Sequence, residues 1–297
     1  MTTGPTSAPA ASPIEVSVGG APTAWHRFRR NLPAVIGATL LAVLVLAAIF
    51  APLLTPYSPN VSDLRSAQLG PSGDHWLGTD EIGRDVFTRM LYAGRVSLTA
   101  TLIATGVATV LGLPAALAAG YLGGRVDTII SRLADLLMTL PTLILAIAVI
   151  AIVGPGLRNA MIVYGVMMSP RLYRIVRSSV LSVRVETYIE ASLSLGTPKR
   201  TILRRHVLPN VRAPFLVEIS IMLAQGLVAE ASLSFLGLGV VPPTASWGQM
   251  LSRAFAEIRE QPFQIWPPGI AVALTALCFN LVADGLRDAL GREERRS

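Results

Sequence analysis

The chain has 297 residues, 52% of them hydrophobic and only 14% charged, with a formal net charge of +7. A soluble domain is about a quarter charged, so this composition excludes an ordinary soluble enzyme and describes a multi-spanning membrane protein. The basic excess does not mark a nucleic-acid binder, because it is concentrated between Arg171 and Arg212, where nine bases meet only Glu186 and Glu190.

The first 24 residues are rich in Ala, Pro, Ser, Thr and Gly and read as a disordered tail. Arg27, Arg29 and Arg30 then precede an apolar run at 33–54. That run exceeds the roughly 7–15 apolar residues of a secretion signal, so an uncleaved membrane span is expected. Five more runs, 97–121, 129–153, 157–177, 214–237 and 268–286, approach the ~20 residues that a bilayer core requires. The expected fold is an all-α membrane protein with six transmembrane helices. Kinks are expected at Pro114, Pro141 and Pro170.

Charge sets the expected orientation. The Arg-rich loop at 178–213, the first arginines and the tail at 291–297, with Arg292, Arg295 and Arg296, belong in the cytoplasm by the positive-inside rule. Both termini are then cytoplasmic. Segments 55–96 and 238–267 lie outside, and the first of these carries more acids than bases. The expected units are the tail 1–24, a first span with its outer loop at 25–96, a transmembrane core at 97–290, and the basic tail. Cys278 stands alone in an apolar run, which excludes an intrachain disulfide.

Between the fourth and fifth runs lies YIEASLSLGTPKRTILRRHVLPN, Tyr188 to Asn210. Thr187 is a candidate cap for a helix with Glu190 in its first turn, near the positive end of the helix dipole. Pro198 allows a second helix at a new angle, and Leu208-Pro209 is expected to stop it. A basic amphipathic pair resting on lipid headgroups accounts for the arginines. It does not account for the small residues Ala191 and Ser192, or for Gly196 and Leu208-Pro209 at fixed distances from Glu190. The segment Glu230-Ala231-Ser232 repeats those letters, but Leu236 stands where the Gly should be and the run is apolar. It is a compositional echo.

Outside, His75 to Val86 reads as a cap followed by an amphipathic helix. Asp80 is the expected cap, and Ile82, Val86 and Met90 repeat every four residues. Metal ligation by His75, Asp80, Glu81 and Asp85 fits the ligand types but no recognised spacing, so no metal site is expected. Within the spans, Glu230, Gln225 and Asn280 are candidate pathway residues, since buried polar groups in a membrane are costly unless paired or wet. Glu218 and Asp284 are further intramembrane acids. Arg132 with Asp135, and Asp284 with Arg287, are expected i, i+3 pairs. The single lysine, Lys199, follows Pro198, so no phosphate-binding loop exists, and the three histidines are scattered. No catalytic residue is expected.

The 190–209 segment resembles the EAA loop of binding-protein-dependent ABC importers. Glu190, Ala191, Gly196, Leu208 and Pro209 fit its register, and Ser192 replaces its second Ala. The blocks His75–Val86 and Ser234–Gly239, with Pro242-Pro243 and Ser246-Trp247-Gly248, are similar to C-type subunits of dipeptide and oligopeptide permeases. The resemblance covers about Trp25 to Leu290 and implies a type I importer transmembrane domain resembling the methionine permease. It implies that 178–213 is a coupling loop docking on ATPase subunits through Glu190, Ala191, Ser192, Gly196, Leu208 and Pro209. It further implies a second permease subunit, two ATPase subunits that hold ATP and Mg, and an extracytoplasmic binding protein, with no cofactor on this chain. Thr79, Asp80, Glu81, Arg84 and Asp85 are the candidate docking residues for that binding protein. Peptides are the implied cargo, with nickel complexes and haem as alternatives. An ion-gradient-driven carrier is the rival reading, but no inverted repeat of the spans is found. A non-transporting membrane scaffold is the third.

Overall fold

A computed structural model of the chain describes residues 23–291. The expected disordered tail, except Thr23 and Ala24, and the last six residues lie outside them. Helices α1 (Ala24–Arg30), α2 (Leu32–Ile49) and α3 (Ala51–Leu54) open the chain, and an irregular segment follows. Next come α4 (Val86–Leu122), α5 (Gly124–Met138), α6 (Thr142–Val153) and α7 (Leu157–Arg184). Two short helices, α8 (Thr187–Ser194) and α9 (Lys199–Ile202), lead through one π-helical turn, Leu203–Val207, into α10 (Leu208–Phe235). Helices α11 (Trp247–Ala256) and α12 (Trp266–Leu290) complete the described chain. No strand forms among the described residues; one isolated bridge joins Thr79 and Asp85.

Four of these helical stretches are long and apolar enough to cross a membrane, or five if one bent pair counts as a span. The run expected at 129–153 is this bent pair, and the kink expected at Pro141 is a full break: α5 and α6 meet at 88° across it. Pro141 lacks an N–H and pushes Leu140 out of helical geometry, which separates the two helices. The run expected as a fourth span is helical, as α7, but five arginines (158, 171, 174, 177 and 184) leave it outside the apolar set. Helix α4 begins at Val86 rather than 97. Its 37 residues make a rod of about 55 Å, well beyond a ~30 Å hydrocarbon core. Both α4 and α7 run through their prolines, Pro114 and Pro170.

The α4–α7 pair forms the core. Along α4, Ala100, Ala104, Ala108, Gly112, Ala116 and Gly120 fall every four residues on one face, and all are buried. In lipid, helices gain little from the hydrophobic effect and associate through close backbone packing of small residues. Gly165 of α7 shows how close: a Cβ added there would lie 2.5 Å from the Ala104 carbonyl oxygen.

Helix-end contacts divide the molecule into two ends. At one end Arg27 reaches the Ala289 carbonyl, Asn31 bonds Asp288 at 3.0 Å, and Gly120 packs on Val180. The α7–α10 connection belongs to this end. At the other, Arg95 bonds the Ala48 carbonyl, Trp247 donates to Met90 O at 3.0 Å, and Gly156 donates to Leu238 O at 3.2 Å. The acid-rich segment 55–85 belongs to that second end.

Candidate functional site

The α7–α10 connection is held by a few anchors and otherwise faces solvent. Ile189, Ile202 and Val207 are completely buried in the core. Glu190, Ala191, Gly196, Leu208 and Pro209 are exposed, Ser192 is half-buried, and Leu195 projects with 86% of its surface open. Thr187 is the first residue of α8 and provides no cap; Glu186 stands at the cap position without a side-chain bond. The far end of α8 is well closed. Gly196 N donates to Leu193 O at 3.0 Å and Thr197 N donates to Ser192 O at 3.1 Å, a Schellman pair that needs a left-handed residue between. Gly196 supplies it with φ of +74°. No atom lies within 4 Å of a Cβ added there, so backbone conformation, not space, requires the glycine.

Leu208-Pro209 does not stop a helix, contrary to expectation. The chain is helical from Lys199 to Phe235, and the π-turn just before Leu208 accommodates the missing N–H of Pro209. Asn210 Nδ2 bonds the His206 carbonyl at 2.7 Å and the Tyr188 hydroxyl at 2.9 Å, tying α8 to the start of α10. Burial, and secondarily the charge of Glu186, raises the Tyr188 phenol above its ordinary pKa.

The candidate pathway residues do not converge on one place. Glu230 is wholly buried beside Ser97, Ser234 and Ser246; it accepts from Ser234 Oγ at 2.7 Å, and its Oε2 has no partner. Gln225 is half-buried and accepts from Arg171 Nη1 at 3.0 Å. Asn280 is exposed on α12 and bonds its own helix at Ala276 O. Arg171 also pairs with buried Glu218 at 2.7 Å, so one guanidinium joins two polar groups of α10 while remaining 40% exposed. That cluster was missed in the sequence, because Arg171 reads there as a helix-end base. The expected Arg132–Asp135 pair is replaced by Asp135 with Arg174 at 2.5 Å, and Asp127 takes Arg177 by two 2.5 Å bonds. Four residue positions along one helix could not reveal these cross-helix partners. Asp284 and Arg287 lie 3.6 Å apart, as expected.

At the opposite end, residues 75–89 form a tight knot. Asp80 is not the helix cap: its Oδ1 accepts from Ile82 N and Arg84 N at 3.1 and 3.0 Å, closing a turn. Asp85 caps α4, with Oδ2 accepting from Thr88 N at 2.7 Å, and its Oδ1 lies 2.9 Å from His75 Nδ1. Ile82 precedes the helix and is not part of its apolar stripe. Thr79 donates to Ser66 O at 2.5 Å and accepts from Leu69 N at 2.8 Å. Of the five candidate docking residues, Thr79, Asp80, Arg84 and Asp85 are buried, while Glu81 is a quarter exposed. Arg84 Nε pairs with Asp80 at 2.7 Å, and Glu81 binds both Arg84 and Arg253.

This architecture, an all-helical membrane bundle with an exposed connection at one end and a charged knot at the other, has counterparts among known proteins. Residues 108–296 match the family model described as binding-protein-dependent transport system inner membrane component. Residues 23–71 match the N-terminal TM domain of oligopeptide transport permease C. The chain belongs to the binding-protein-dependent transport family, the membrane-embedded permease subunits of ABC transporters. It is 40% identical over 267 residues to a dipeptide transport system permease protein of Alkalihalophilus pseudofirmus, covering 90% of this chain and 88% of that one. Identity and coverage are the same for a glutathione transport system permease protein of Escherichia coli. The fold is similar to that in inward-facing structures of the MetNI methionine ABC transporter, with TM-score 0.56 and 19% identity, over 68% of this chain and 96% of that one.

Proposed function

We propose that the chain is one of two different permease subunits in an ATP-driven peptide importer of the cytoplasmic membrane. In this reading the chain crosses the membrane six times, with α5–α6 as a broken crossing and α7 as a polar one shielded by its neighbours. Both termini and the 187–210 connection are cytoplasmic, since that end of the molecule holds the basic clusters. Two ATPase subunits bind ATP and Mg, and this chain performs no chemistry. Their closure moves α8 and α9, and the buried anchors Ile189, Ile202 and Val207 carry that movement to α7 and α10. Only a difference in contact between two states can drive such a change.

The observation that carries the reading is the α8–α9 surface. It is exposed, its apolar Leu193 and Leu195 face outward, and Glu190 makes no side-chain bond within the described residues. An exposed apolar patch with a polar rim is the mark of a partner surface. A half-exposed Arg171 inside a bilayer is costly against lipid, which supports a second permease subunit or a wet path on the α7–α10 face. Gln225 and Arg171 are the preferred lining groups, with Asn280 farther along; Glu230 would join them only as α4, α10 and α11 separate. The dipeptide and glutathione relatives support peptide cargo.

The test is uptake of a labelled dipeptide by the reconstituted complex with its binding protein. Uptake is expected to require ATP inside the cytoplasmic face and to survive collapse of the proton gradient. Uptake that persists without ATP and stops with the gradient overturns the reading in favour of an ion-driven carrier.

A further inference from the structure

The α7–α10 connection is attached unevenly at its two sides. Only Val185 and Glu186 separate the end of α7 from α8, whereas the chain from α8 to α10 runs through Gly196, Pro198, α9 and the π-turn. That longer route is a compliant joint. Leu208 N reaches back five residues to Leu203 O instead of four, and Pro209 and Pro214 lack the N–H groups that a continuous helix would use. The buried anchors Ile189, Ile202 and Val207 press the connection onto the bundle, but hydrophobic contact is non-directional and fixes no angle. One directional contact bypasses the joint. Asn210 Nδ2, in the first turn of α10, donates to Tyr188 Oη at 2.9 Å across 22 residues of chain, and to the His206 carbonyl at 2.7 Å. His206 O can only accept, so it fixes which way the amide points and leaves Tyr188 Oη as the second acceptor. The Tyr188 ring also lies against the His206 ring, with centroids 5.9 Å apart.

We infer that Tyr188, His206 and Asn210 are positioning residues, a clasp that makes α10 follow α8. The inference rests on the proposed function, in which ATPase closure displaces α8. That displacement reaches α7 through the two-residue link in any case. Without the clasp it reaches α10 only through the joint. With the clasp, the adjoining ends of α7 and α10 move as one piece, and α10 carries Glu218 and Gln225 against Arg171 of α7. Tyr188 is 42% exposed and Asn210 is exposed. A lone bond at such a surface adds little stability, but its directionality selects one angle between α8 and α10.

The test measures two rates on the complete transporter in liposomes with its binding protein: uptake of a labelled dipeptide, and ATP hydrolysis. Tyr188→Phe deletes the acceptor and keeps the ring on His206. Asn210→Leu deletes both donations at similar size. Each is expected to lower dipeptide taken up per ATP about fivefold, the factor that loss of one ordinary hydrogen bond allows. ATP hydrolysis and retention of the ATPase subunits are expected to stay at wild-type levels. The double variant is expected to match Asn210→Leu, because the two residues act through one bond. Wild-type uptake per ATP in Tyr188→Phe overturns the clasp, as does a double variant in which the two losses add. If uptake and hydrolysis fall together as the ATPase subunits are lost, Tyr188 belongs to the docking surface and the clasp is likewise overturned. Should Asn210→Leu fail to fold, Tyr188→Phe alone decides. A wild-type complex without ATP-dependent uptake sinks the proposed function itself, whereas a coupled wild type with indifferent variants sinks the clasp alone.

Discussion

The two ends of this molecule treat their distinctive residues in opposite ways. At one end the knot of residues 79–89 turns its charged and hydroxyl groups inward: Thr79, Asp80, Arg84 and Asp85 are buried and bonded to one another and to adjacent segments. At the other end the α8–α9 connection turns its distinctive residues outward and anchors itself with plain aliphatics. A residue consumed by internal bonds answers to the fold, whereas one that the fold leaves alone is available to a partner. Substitution should therefore separate the ends, with stability responding at the knot and transport responding at the connection.

The largest stability effect is expected at Asp80. Asp80→Ala removes the carboxylate shared by Arg84 and Arg89, leaving Arg84, 3% exposed, with Glu81 alone and Arg89, 2% exposed, with no acid beside it, only the Pro59 carbonyl. Breaking a buried pair from one side costs about 3–5 kcal/mol. Thermal unfolding of the purified chain should show that loss, together with low abundance in membranes. A variant as stable as wild type would show that water, not the ion pairs, satisfies the knot. Gly165→Ala comes next. The added methyl meets the Ala104 carbonyl oxygen at 2.5 Å, so the α4–α7 seam must open, at about 1–3 kcal/mol. The same unfolding measurement reads it, and no change would mean that the seam is slack.

Sequence made the spans legible where hydrophobic runs are long and uniform, as in α2, α10 and α12. It was less informative where a helix is shielded by protein. Helix α7 packs against α4, α6 and α10, and three of its five arginines, Arg171, Arg174 and Arg177, find acids on α5 and α10. Such partners sit 39 to 50 residues away, beyond any local spacing rule. The four-residue repeat of small residues on α4 was readable in principle and identifies the packing face. The α7–α10 connection was legible in position because it lies between apolar runs and most of its polar residues stay exposed. The cap was not: Asp80 is the expected cap, but the turn closed by Gly83 N donating to Asp80 O ends before the helix and leaves Asp85 at its first turn.

A smaller effect is expected at Gly196, and it bridges the two behaviours. Gly196→Ala puts a Cβ on a residue with φ of +74°, at a cost of about 1 kcal/mol, with no steric clash to add. The Schellman closure of α8 should loosen, read as faster amide exchange at Gly196 and Thr197 with global unfolding little changed. Slow exchange there in the variant would show that the closing bonds do not depend on the left-handed residue.

At Glu190 the expected stability change is the smallest, and the comparison is sharpest. Glu190 is exposed, and the reversed charge of Glu190→Arg should move unfolding by no more than about 0.5 kcal/mol. In the proposed reading transport is nonetheless lost, because Glu190 lies on the surface that meets the ATPase. The decisive readout is a pair of numbers from one preparation: an unchanged unfolding midpoint, and ATP-dependent dipeptide uptake reduced to background. Loss of both would return Glu190 to the class of Asp80, a residue the fold itself requires. Retention of both would leave the exposed face of α8 without a partner. Only stability without uptake separates holding the fold together from passing force through it.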